Sequence, residues 1–177
     1  MRQTGRVRFL TIVRHCESSP ARHGESDFER VLSKRGRRQC AQLRKWATNE
    51  HKLGRFGPTT ALVSAAARTR ETFDRAFDGT AFVGPREFSD LIYNGRRDVS
   101  AEDLLIDLAA IDPVTMSLLV VAHNPTVHEL MLSLAQNVPA SLERKAYPLG
   151  GAFVLALPED RQIGLARYEV VASYVPD

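Results

Sequence analysis

Six consecutive residues, Ser117-Leu118-Leu119-Val120-Val121-Ala122, constrain the fold of this chain most. The run is of strand length and apolar on both faces, so both faces must be covered. Residues 9–13 (Phe-Leu-Thr-Ile-Val) have the same character, and residues 61–64 repeat it more briefly. Helical periods lie between these runs. Ser33 reads as an N-cap ahead of Cys40, Leu43, Trp46 and Ala47. Ala66, Thr69, Phe73, Ala76 and Phe77 form a second stripe. Ser100-Ala101-Glu102-Asp103 has the form of a capping box before Leu104, Leu105, Leu108 and Ile111. Asn124-Pro125 offers an N-cap and a proline at the first helical position, followed by Val127, Leu130, Met131 and Leu134. Two strands near residues 151–157 and 166–175, joined by a short turn, close the chain. The pattern predicts an α/β fold, a three-layer α/β/α sandwich around a mostly parallel sheet with an antiparallel edge. At 177 residues, one domain spanning 1–177 is expected.

Composition removes several classes. With 44% hydrophobic and 25% charged residues the chain is not a disordered tail, and a net charge of +3 does not call for a polyanionic partner. Cys16 and Cys40 form neither a disulfide framework nor a CxxC pair. The basic start, Met1 to Arg6, leads into a run interrupted by Arg8 with no small-residue cleavage site, so a strand is expected there rather than a signal peptide. No stretch approaches the roughly 20 apolar residues of a membrane span. A cytoplasmic chain with no membrane partner is the expectation. The basic run Lys34-Arg35-Gly36-Arg37-Arg38 has no interleaved aromatic residues, so a nucleic-acid partner is not expected. No phosphate-binding GxxxxGK[ST] or GxGxxG loop is present.

The chemistry is concentrated at strand ends. His15 and His123 each follow an apolar strand directly, Arg14 precedes His15, and Arg68 falls in the first turn after the strand at residues 61–64. Ligands of open α/β sheets bind beyond the carboxyl ends of the strands. If these strands are neighbours, the four side chains meet in a cationic pocket with no obvious carboxylate among them. Guanidinium forks match phosphoryl oxygens, and a neutral imidazole can attack phosphorus. The arginines would supply the positive charge that a divalent ion otherwise brings, so neither a metal nor another cofactor is expected.

Four segments resemble the histidine phosphatase superfamily, which includes the phosphoglycerate mutases. Thr11-Ile12-Val13-Arg14-His15-Cys16-Glu17-Ser18 is similar to its opening strand and Arg-His motif. Ser64-Ala65-Ala66-Ala67-Arg68-Thr69-Arg70-Glu71-Thr72 is similar to its second motif. Val120-Val121-Ala122-His123-Asn124-Pro125 matches the strand that ends in the second histidine. Residues 27–36, Asp-Phe-Glu-Arg-Val-Leu-Ser-Lys-Arg-Gly, resemble the Asp…Arg-Pro-Leu-Ser/Thr…Gly segment of the small bacterial phosphohistidine phosphatases. The resemblance implies a phosphoglycerate mutase-like fold and a metal-independent phosphatase. In it His15 is the phosphorylated nucleophile, Arg14 and Arg68 hold the phosphoryl group, and His123 completes the pocket. Ser18 and Asn124 border the substrate.

Three departures from the family pattern bear on function. The small residue after the nucleophile is Cys16, expected to be a buried inert thiol, with a redox-sensitive cysteine as the sharper alternative. Ala65 replaces a customary proline. Tyr93 stands where the mutase-like members carry an acidic proton donor; Glu87 or Asp90 could substitute, although surface carboxylates are the plainer reading of both. A site without a dedicated acid suits a leaving group that carries its own proton, such as the imidazole of phosphohistidine, better than an alkoxide. The expected partner is therefore a phosphorylated protein, with a small phosphorylated substrate such as a sugar phosphate, or a non-catalytic phosphoryl-binding module, as the alternatives. Arg22-His23-Gly24 is expected in a surface loop, since no strand precedes it. His51 is expected in solvent, and His128 on a helix surface or packed against a neighbour.

Overall fold

A computed structural model describes residues 7–49, 51–95, 98–111, 117–144, 146–158 and 163–176. The strands are β1 (Val7–Arg14), β2 (Thr59–Ser64), β3 (Val83–Ser89), β4 (Ser117–Ala122), β5 (Ala152–Pro158) and β6 (Val170–Tyr174). The α-helices are α1 (Lys34–Thr48), α2 (Ala67–Ala76), α3 (Ala101–Ile111), α4 (Thr126–Leu134) and α5 (Ala140–Arg144). One sheet runs in the order β3-β2-β4-β1-β5-β6. The pairs β2–β3, β2–β4 and β1–β4 are parallel, and β5 runs against both β1 and β6. The mostly parallel sheet with an antiparallel edge is thus present.

Alternation along β4 shows why its run has to be apolar throughout. Leu118 and Val120 pack with Leu104, Leu108, Leu130 and Met131 of α3 and α4. Leu119 and Val121 pack with Leu43, Trp46, Phe73 and Phe77 on and beside α1 and α2. Each face of the sheet therefore lies under its own helical layer, and all six residues of β4 are buried. Burial on this scale stabilises by roughly 1.5–3 kcal/mol per large apolar side chain.

The helix starts follow the sequence signals in two cases. Gly36 N–H donates to Ser33 Oγ (2.9 Å), which caps α1. Before α3, Ser100 N–H donates to Asp103 Oδ2 (3.0 Å) and Asp103 N–H to Ser100 Oγ (3.1 Å), a reciprocal box. At α4 the expected start is displaced. The Asn124 amide points to the Tyr147 carbonyl (3.4 Å) instead of capping, Asn124 and Pro125 form a turn, and the helix begins at Thr126. The last strand is also shorter than expected: β6 is confined to Val170–Tyr174, while Tyr168 forms an isolated bridge with Ala135. Edge strand β3 was not foreseen. Five of its seven residues are exposed, so neither face imposes an apolar pattern, and Pro85 sits within it.

Among the described residues no helix is long and apolar enough to cross a membrane.

Candidate active site

Register brings the strand ends together. Arg14 of β1 pairs with Ala122 of β4, and Val63 of β2 with Val121 of β4. The next residues along, His15, His123 and Ser64, therefore emerge at one edge of the sheet. The rings of His15 and His123 lie 5.1 Å apart, centroid to centroid. His15, Arg68 and His123 are all buried.

His15 has a defined tautomer. Its Nδ1 lies 2.7 Å from the Cys16 carbonyl, which can only accept, so Nδ1 carries the proton and Nε2 keeps its lone pair. Burial is the main force lowering its pKa, with the charges of Arg68 and Arg14 adding to it against the pull of the Cys16 carbonyl; together they bring it to about 3. The ring is a free base at neutral pH. Burial, with His15 and Arg68 nearby, also lowers His123 well below the usual histidine value. Ser64 Oγ is 2.7 Å from Nε2 of this neutral ring, while its Nδ1 is buried without a hydrogen-bond partner. If the Ser64 hydroxyl donates to Nε2, His123 carries an Nδ1–H donor; if Nε2–H donates to Ser64, Nδ1 is an acceptor, and only the first arrangement serves an anion.

The arginines are anchored from behind. Arg14 Nη1 donates to the Tyr147 carbonyl (2.7 Å), and Arg14 Nε is buried and unpartnered. Gly150, at φ +69°, donates its N–H to the carbonyls of Arg14 and His15 (3.2 and 3.1 Å); a side chain is strained at that φ. Arg68 donates from Nη1 to the Asp27 carbonyl (2.6 Å) and from Nη2 to Asp27 Oδ2 (2.9 Å). This corrects the expectation of a pocket without a carboxylate. Asp27 also accepts from Tyr93 Oη (2.8 Å) and Arg30 Nη1 (2.7 Å). Partial burial works to raise its pKa, but the bonds from Tyr93 and Arg30 and the Arg68 charge outweigh it and hold Asp27 at about 2. Glu87 and Asp90 are exposed on and after β3.

Ser18 Oγ accepts from Arg30 Nη2 (2.8 Å), so Ser18 belongs to the strut around Asp27. Asn124 lies between His123 and the Tyr147 carbonyl and lines a cleft of about 520 Å³ with Asn94, Asp98 and Glu129. Cys16 is fully buried against Leu32 and Cys40, and its pKa is pushed up by the hydrogen bond with Cys40 and by burial. These are the surroundings of an inert thiol. His23 lies exposed in a turn with Gly24. His51 is exposed, and His128 Nδ1 accepts from the Tyr147 N–H (2.9 Å).

Sequence reading missed the site roles of Asp27, Tyr93 and Ser64. Ser64 was signalled by its place at the end of β2. Asp27 opens the family-like segment at residues 27–36, but that likeness does not show its role, because its partner Arg68 is 41 positions away.

Among the described residues no group of three or more His, Cys, Asp or Glu is placed to hold a metal ion. The cluster offers donors from Arg14, Arg68 and His123 around one imidazole lone pair. It suits a tetrahedral oxyanion facing a nucleophile.

No family model and no curated protein matches the sequence. Solved structures do match. A protein assigned as phosphohistidine phosphatase SixA from Nakamurella multipartitia is 22% identical, with a TM-score of 0.75 and 97% of each chain covered. Another with the same assignment, from Agrobacterium tumefaciens, is 24% identical with a TM-score of 0.74, covering 96% of this chain and 99% of that one. The protein histidine phosphatase SixA complexed with tungstate is 18% identical with a TM-score of 0.71, covering 95% and 97%. At these identities the likeness shows the fold, which is phosphoglycerate mutase-like.

Proposed function

We propose that the chain is a metal-independent phosphatase that works through a phosphohistidine at His15 and removes the phosphoryl group from phosphohistidine on a protein. The observation that carries this reading is the Nδ1–H···O=C bond from His15 to Cys16, which leaves Nε2 as a lone pair beside Arg14, Arg68 and His123. In the first step Nε2 attacks phosphorus. The bond from phosphorus to the leaving nitrogen breaks, and that imidazole departs neutral because its other nitrogen is protonated in the substrate. Arg14, Arg68 and Nδ1–H of His123 bind the equatorial oxygens as charge spreads over them. Water then attacks the phosphorus on His15 and releases phosphate, and the imidazole returns as a free base. That a neighbour of the same fold is a protein histidine phosphatase with bound tungstate, a tetrahedral oxyanion, supports the assignment.

The substrate class follows from acidity. Asp27 is bonded to Arg68 of the cluster, and at a pKa of about 2 it holds no proton to give at neutral pH. An alkoxide leaving group needs that proton, whereas a protonated phosphoramidate does not. Purified protein and its His15→Ala variant, assayed against phosphohistidine, phosphoramidate, a sugar phosphate and phosphoserine, test the reading. Turnover of the P–N compounds is expected to exceed that of the P–O compounds, to vanish in the variant, to resist EDTA and to be inhibited by vanadate. Faster turnover of the sugar phosphate would instead make it a small-molecule phosphomonoesterase. Binding without turnover would make it a phosphoryl-binding module.

A further inference from the structure

A carboxylate beside a site that must hold a phosphoryl dianion is unfavourable unless it has another use. Asp27 is half-exposed, and both its oxygens are engaged: Oδ1 by Arg30, and Oδ2 by Arg68 and Tyr93. Its main-chain carbonyl takes a further N–H from Arg68. A guanidinium is planar and rigid, so two bonds from different nitrogens to one residue fix the plane of the fork. The remaining N–H groups then have a set direction. The Tyr93 ring, whose hydroxyl the same carboxylate holds, lies edge-on to His123 at 5.6 Å and under the Arg68 guanidinium at 5.7 Å. Phe28, the neighbour of Asp27, packs edge-on against Tyr93 at 4.9 Å. Arg30 ties the same loop back to Ser18 Oγ and to the Ser19 carbonyl (2.8 and 2.9 Å). One carboxylate therefore sets the attitude of two groups that flank His123.

We propose that Asp27 is a positioning residue, which aligns Arg68 directly and His123 through Tyr93 while taking no part in proton transfer. The proposal rests on the reading of the site as a His15-dependent phosphatase. Its hydrogen bonds are all ones in which Asp27 accepts, so the carboxylate acts as an ionised anchor. The Arg30 and Arg68 charges offset its repulsion of the incoming dianion.

The test compares wild type, Asp27→Asn, Arg68→Ala and the double variant on a series of aryl phosphates of graded leaving-group acidity, with vanadate inhibition measured in parallel. For Asp27→Asn, kcat/KM is expected to fall by about 10- to 100-fold, the scale of a misplaced catalytic group. The loss should be the same for every leaving group, and vanadate affinity should weaken by a similar factor. In the Arg68→Ala background, Asp27→Asn should cost much less, because its direct partner is gone. Tyr93→Phe, which leaves the Asp27–Arg68 pair in place, should show a smaller uniform loss and keeps the proposal testable if Asp27→Asn does not fold. A loss that grows as the leaving group becomes less acidic would overturn the proposal in favour of a proton donor. Folded Asp27→Asn with wild-type kcat/KM and vanadate affinity would reduce Asp27 to a loop strut. The phosphatase reading fails separately, through absence of His15-dependent turnover in wild type; vanadate binding by the variants then still decides whether Asp27 orders the anion site.

Discussion

At the scale of single residues, the carbonyl of Cys16 does two jobs: it fixes the His15 tautomer and points the ring. Because burial and two arginines bring its pKa to about 3, the imidazole of His15 should show no titration between pH 8 and about pH 4.5 when followed by NMR. An inflection near 6.5 would mean that the ring is solvated and the site is not assembled as described. The fork of Arg68 has a comparable geometric duty. Arg68→Lys keeps the charge but cannot bond both Asp27 and a phosphoryl group in one plane, so a fall of about 100-fold in kcat/KM is expected, with the protein still folded by circular dichroism. Ser64→Ala removes the hydrogen-bond partner of His123 Nε2 and with it the anchor of the ring; steady-state rates should drop by about 10-fold.

At the scale of elements, the entry to α1 is where backbone meets backbone. A Cβ on Gly36 would clash with the Glu17 carbonyl oxygen, in the loop that leaves His15. Gly36→Ala must push the first turn of α1 off that loop. Overpacking of this kind destabilises by about 1–3 kcal/mol, and thermal melts should show it. Activity should fall too, since Glu17 N–H is held by Gln39 of the same helix (2.9 Å). Loss of the Ser33 cap in Ser33→Ala should cost about 1 kcal/mol with little effect on rate. A larger effect on rate than on stability would show that α1 is coupled to the site more tightly than the contacts imply. The contrast between β4 and β3 belongs to this scale as well. β4 is legible because two helical layers demand apolar residues at every position. β3 is not, because an exposed edge accepts Gly84, Pro85, Arg86 and Glu87 without penalty.

At the scale of the whole molecule, the site imposes a pH dependence on the fold. His15 and His123 have lowered pKa values in the folded state, so the unfolded chain binds more protons in mild acid. Their contribution to stability is therefore complete above the unfolded value near 6.5 and is lost as the pH falls below it, through about 3 in the case of His15. Each histidine that titrates only on unfolding weakens the fold by about 1.4 kcal/mol per pH unit in that window. Denaturant midpoints should accordingly fall between pH 7 and pH 4, and His15→Phe should flatten the slope. A midpoint unchanged across this range would mean that the imidazoles are not buried as neutral rings.

The sequence by itself determined the layers and the rim. Runs apolar on both faces can only be interior strands, and Arg14, His15 and His123 stand beside the ends of two of them, so their edge of the sheet was readable before any coordinates. Arg68 was readable as the first turn after a third. Strand order belonged to the tertiary structure, because β1, β4 and β2 become neighbours only through pairings between residues 58 and 108 positions apart. The role of Asp27 belonged to it too: the segment at residues 27–36 marks the residue, but its meaning comes from Arg68, Tyr93 and Arg30 closing around a carboxylate in a single 3-10 turn.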